Sequence, residues 1–137
     1  LEFIMDYTES NRLIHAGFHH LFAQDQEVRV EFGLGWVRLA FTLCEELDAL
    51  WDSSPSPNFS IVTMREKFGV LRVAYKVPTG NPLMTSLYLL TERYIRESAT
   101  TCELCGKAGT LSEQPWQRVR CPSCKAQSIN VESDHAD

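Results

Sequence analysis

Phe59-Ser60-Ile61-Val62-Thr63-Met64-Arg65-Glu66 and Val70-Leu71-Arg72-Val73-Ala74-Tyr75-Lys76-Val77, joined by a short turn around Phe68-Gly69, decide the fold class. Both runs are β-branched and aromatic, and the turn between them is short and contains glycine, which predicts a β-hairpin. Two strands are marginal in water, so the hairpin must pack on helices or find a third strand. Ser53-Ser54-Pro55-Ser56-Pro57-Asn58 precedes it and Pro78-Thr79-Gly80-Asn81-Pro82 follows it, and both read as loops.

Working outward, the neighbours of the hairpin are helical. Trp36 to Trp51 carries Trp36, Leu39, Ala40, Leu43, Leu47, Leu50 and Trp51 on one broad stripe. Leu83 to Ser98 places Leu83, Leu87, Leu90 and Tyr94 inward. Thr8 to Ala23 repeats Leu13, Ile14, Gly17, Phe18, Leu21 and Phe22 at helical spacing, with Thr8 or Ser10 as the expected cap. Gln24 to Gly35 is a polar connection with room for a short strand where Val28, Val30 and Phe32 alternate. The expected fold is α+β: three helices packed on a β-hairpin, followed by a C-terminal four-cysteine zinc ribbon. The division is a scar of vector origin at residues 1–4, a core domain at 5–101, the ribbon at 102–125, and a polar tail at 126–137 that is expected to fray.

The whole chain agrees with that reading. Its 137 residues suffice for one domain with a small appendage, and 44% apolar against 23% charged residues is a folding composition. No window approaches the length of a membrane span, and no secretory signal pattern is visible. A formal charge of -5 argues against a chain built mainly to coat nucleic acid. A cytoplasmic location is expected, because four of the five cysteines stand at metal-site spacing rather than as a disulfide framework.

Those four are Cys102-Glu103-Leu104-Cys105 and Cys121-Pro122-Ser123-Cys124. Each Cys-x-x-Cys turn aims two thiolates at one point, and Gly106 permits the tight backbone behind the first pair. Cys102, Cys105, Cys121 and Cys124 together predict one structural Zn²⁺ per chain, since four thiolates leave no open position for water. Binding free energies of about 10–16 kcal/mol can fold a segment this small. A redox role would need only one such pair, in a thioredoxin-like setting.

Other constellations are weaker. His15 and His19 form an i, i+4 pair with His20 beside them, but no third ligand is indicated, so a solvent-facing helix surface is expected. Glu66 and Lys67 could serve a metal-dependent hydrolase, although the simpler expectation is a cross-strand ion pair between Glu66 and Arg72. Trp116, Arg118 and Arg120 alternate on a ribbon strand and could hold a single nucleic-acid strand. Against this, Lys107, Arg118, Arg120 and Lys125 are balanced by Glu103, Glu113 and the zinc-thiolate charge. Glu45, Glu46, Asp48 and Asp52 place four carboxylates near the end of the strongest helix, where the helix dipole disfavours them. They read as a solvated face or as a docking surface for a basic protein. Cys44 reads as an inert core thiol.

Gly35-Trp36, Leu43-Cys44, Arg65-Glu66-Lys67-Phe68-Gly69-Val70-Leu71-Arg72, Ser98 and Cys102-Glu103-Leu104-Cys105-Gly106 form an ordered set over about residues 33 to 125. This set resembles a family of small bacterial and phage proteins marked by a Glu-Lys-Phe-Gly-x-Leu-Arg hairpin and a terminal zinc ribbon. Val70 departs from the family, where glycine is expected. The family carries no established chemistry, so no catalytic residue is implied. The chain is also similar to immunity proteins of Pseudomonas type VI secretion toxins, the kind paired with a nuclease-fold effector. That resemblance implies a non-enzymatic cytoplasmic inhibitor that binds a cognate toxin, with the acidic residues Glu45, Glu46, Asp48 and Asp52 as the expected contact. The alternatives are a zinc-ribbon accessory protein binding nucleic acid and a metal-dependent hydrolase.

Overall fold

The structure is a computed structural model that describes residues 6–53, 58–113 and 116–126. Residues 1–4, expected to be a scar, and all of the expected tail at 126–137 except residue 126 lie outside the described residues.

Helix α1 spans Thr8–Phe18. Neither predicted cap is used: Tyr7 occupies the N-cap position, the Thr8 amide donates to Asp6 Oδ1 at 2.9 Å, and Ser10 is buried inside the helix. The helix stops at Phe18, where φ falls to -136°, rather than running to Ala23. A single 3-10 turn, His19–Leu21, still turns Leu21 and Phe22 into the core.

The strand β1, Val30–Glu31, corrects the expectation of helices on a bare hairpin. It pairs in parallel with β2 (Ser60–Lys67), which pairs antiparallel with β3 (Val70–Lys76), giving the order β1-β2-β3. A parallel pair needs a long crossover. Helix α2, Val37–Ser53, supplies it, entered through a 3-10 turn at Leu34–Trp36. The register shifts between Ile61 and Thr63, so the buried positions of β2 are Ile61 and then Met64. Register also corrects the expected ion pair: Glu66 lies opposite Leu71, while Arg72 lies opposite Arg65.

Helix α3, Met84–Ser98, packs against α2 and β3. The Ser98 hydroxyl accepts from the Leu71 amide at 2.9 Å and donates to the Ile95 carbonyl at 2.6 Å. Tyr75 and Thr91 share a hydroxyl hydrogen bond of 2.6 Å, a second tie between the same two elements. One core results, with Trp36, Phe22, Phe32 and Phe59 its largest fully buried side chains. Cys44 is sealed in it, and burial pushes its thiol up to about 12.

The C-terminal segment adds an antiparallel pair, β4 (Thr110–Ser112) with β5 (Arg118–Arg120), and a helical turn over 122–126. Val119 of β5 belongs to the main core, so this pair is docked on the rest of the molecule.

Candidate metal centre

Cys102 and Cys105 sit on a tight turn closed by the Gly106 amide donating to the Cys102 carbonyl at 2.9 Å. Gly106 has φ +84°, which glycine adopts without strain. The second pair is held by the helical turn that follows it, where the Lys125 amide donates to the Cys121 carbonyl at 2.9 Å. All four sulfurs lie within 4.8 Å of one another. Tetrahedral ligation at a metal–sulfur distance of 2.3 Å asks for sulfur separations of about 3.8 Å. The set is therefore close to ligating geometry, and Cys105 and Cys121 already stand at 3.5 Å.

An amide hydrogen bond from Cys124 draws the Cys121 thiol down to about 7, while burial drives Cys124 up to about 12. Sulfurs this crowded cannot all ionise unless a cation lies among them. Cys102, Cys121 and Cys124 are buried and Cys105 is exposed, so an ion would enter from the Cys105 side. Among the described residues these four form the cluster able to hold a metal ion.

Glu103, between the first two cysteines, reads in the sequence only as a ribbon charge, yet it is a buried tie between segments. It is 3% exposed, and its Oε2 accepts from the Gly33 amide at 2.9 Å. Its carbonyl accepts from Gly35 at 2.7 Å, and its own amide donates to Val119 at 3.1 Å. Arg120 stands 3.6 Å from the other carboxylate oxygen. Burial raises the Glu103 pKa, and the Gly33 amide and Arg120 oppose that rise. A Cβ on Gly35 would meet the Cys102 carbonyl at 2.1 Å, so only glycine fits there. The Trp36 indole completes the junction, donating to the Thr101 carbonyl at 2.7 Å. The one available signal was the Gly33-Leu34-Gly35 spacing, which reads as a loop and not as a close approach.

The other predicted residues are dispersed. His15 is half-buried rather than solvent-facing: its Nε2 donates to the Val28 carbonyl at 2.7 Å, and its ring lies 4.2 Å from that of Phe22. His20 instead bonds Asp48 at 2.7 Å. Glu46 is engaged by Arg93 and by the Tyr94 hydroxyl, whereas Glu45 and Asp52 are exposed. Glu66 Oε2 accepts from the Gly69 amide at 2.7 Å, while Lys67 is directed to the opposite face of β2, its Nζ 5.5 Å from the Phe68 ring centre. The structure does not bring Glu66 and Lys67 together. Arg118 and Arg120 are 6% and 5% exposed, too buried to present a phosphate-binding surface, although Trp116 is 53% exposed.

Scans against protein-family models, curated proteins and solved structures return no match for this chain. Among the described residues no helix is long and apolar enough to cross a membrane.

Proposed function

We propose that the chain is a non-enzymatic binding module of the immunity type, locked by one structural Zn²⁺ and docking a basic protein toxin through the face shared by α2 and α3. Zinc is the reading favoured by the donor set: four thiolates within 4.8 Å of one another suit it, and four-thiolate ligation leaves no position for water.

One observation carries the placement of the docking face. A groove of about 570 Å³ between α2 and α3 is lined by Ala49, Leu50, Leu89 and Leu90 and edged by Glu46 and Arg93. Beside it Tyr88 and Leu89 are 64% and 62% exposed, and Met84 is 46% exposed. Glu45 and Asp52 stand exposed on the same helix as the acidic edge. An apolar centre with a charged rim is the anatomy of a protein interface, and the acidic rim selects a basic partner. Asp48 contributes less than its sequence position implies, because His20 engages it.

The test is capture of a basic protein at equal stoichiometry, followed by titration of variants against it. Leu89→Asp is expected to weaken binding at least tenfold. Glu45→Gln with Asp52→Asn is expected to slow association and flatten its salt dependence. Unchanged affinity and unchanged salt dependence in both would remove the α2–α3 face from the interface.

A further inference from the structure

The outer face of the sheet carries three cations that make no ion pair among the described residues. Register sets Arg65 of β2 directly opposite Arg72 of β3, both exposed, and Lys67 projects to the same side about 7 Å along the strand. Like charges directly opposite destabilise an antiparallel pair. Glu31 is the β1 neighbour of Arg65 in register, yet it makes no ion pair with it. The three helices cover the opposite face, where Ile61, Met64 and Leu71 are buried.

The end of this row is aromatic. Phe68 and Gly69 have φ of 54° and 89°, the pattern of a two-residue hairpin turn that asks for Asn, Asp or Gly at its first position. A bulky ring there costs on the order of 1–3 kcal/mol of strain. Phe68 nevertheless occupies it and is 65% exposed. The turn abuts the β4–β5 pair: a Cβ on Gly69 would lie 2.6 Å from Leu111 Cδ1 and 3.1 Å from the Arg118 backbone nitrogen. Trp116 stands at the same end of the sheet, 53% exposed and with the Arg118 guanidinium 4.7 Å from its ring centre, but it lines a cavity with Tyr7, Glu66 and Glu103, away from the three cations.

We propose that this face binds single-stranded nucleic acid, with phosphates at Arg65, Arg72 and Lys67 and a base stacked on Phe68. A cluster of cations on an open face, with no enclosing cavity around it, fits the spaced phosphates of a polyanion better than a small anion. The exposed Phe68 ring at the end of the cluster fits a base, which an acidic polypeptide does not supply. The chain's net charge of -5 does not oppose this, because acids such as Glu45 and Asp52 lie on α2, across the core from the outer face. This surface is separate from the α2–α3 docking face and stands without it.

The zinc-loaded protein is titrated into a fluorescein-labelled twelve-nucleotide oligothymidylate, read by anisotropy across a salt series. Binding is expected at low salt, with its constant falling about two decades per decade of salt, as three released counterions on a single strand require. The triple variant Arg65→Gln, Lys67→Gln, Arg72→Gln is expected to lose at least tenfold. Phe68→Asn suits the left-handed backbone, so it is expected to raise thermal stability while losing several-fold in affinity at an unchanged salt slope. No binding at low salt, equal binding by the triple variant, or equally tight binding of a polyglutamate peptide of matched charge would each overturn the proposal.

Discussion

Ser10 sits at the buried side of α1 with its hydroxyl sealed and without a hydrogen-bond partner. A buried unsatisfied hydroxyl costs about 1–3 kcal/mol, so Ser10→Ala is expected to raise stability by about 1 kcal/mol in denaturant unfolding. His15, one turn on, carries a pH dependence. Its Nε2–H bonds the Val28 carbonyl, leaving Nδ1 as the bare nitrogen 3.5 Å from His19 Nδ1. Burial lowers its pKa from 6.5; the Val28 bond opposes this and the nearby His19 adds to it. The folded chain therefore binds this proton less readily than the unfolded chain. The contribution to stability is complete above 6.5 and is lost as pH falls from there towards the folded value. His15→Gln keeps a donor for Val28 and cannot titrate. Between about pH 6.5 and 5 its melting temperature is expected to fall less steeply than that of the parent.

Between elements, the decisive contact is the approach of the first cysteine turn to the loop that leads into α2. Gly35→Ala drives a methyl into the Cys102 carbonyl. Glu103→Ala leaves the Gly33 amide unsatisfied and Arg120 buried without its carboxylate. Breaking a buried ion pair costs about 3–5 kcal/mol, and Glu103→Ala is expected near the lower end, because the contact is 3.6 Å and not bidentate. Thermal unfolding of both variants checks this, and a loss under 1 kcal/mol in Glu103→Ala would show that the pair contributes little. These contacts also mark where the sequence stopped being legible. The cysteine spacing was readable because thiolate chemistry needs only two short turns, and the stripe from Trp36 to Trp51 because a helix needs only its period. The short strand was legible in the alternation of Val28, Val30 and Phe32, but its parallel pairing with β2 was not, since that depends on the crossover closing first. The acidic cluster was half legible: spacing placed the carboxylates on one helix, but His20, Arg93 and Tyr94 reach Asp48 and Glu46 only through tertiary packing.

At the scale of the molecule, the four-cysteine cluster is continuous with the core rather than an isolated bead, because Val119 and Glu103 tie it to the sheet and to the α2 entry. Removing the ion with a chelator is expected to lower the melting temperature of the whole chain in one transition, and Cys105→Ser should do the same. Mass spectrometry under native conditions should find one zinc in the parent chain. Two separate transitions in calorimetry would mean that the cysteine segment unfolds by itself. The Gly33 and Gly35 amides have a further consequence. Both are donors satisfied only by Glu103, from a segment far along the chain and adjacent to the sulfurs. Their exchange with deuterated solvent should be slow when the ion is held and fast when it is gone, so two amides well outside the cysteine segment would count, proton by proton, how much of the protein is loaded.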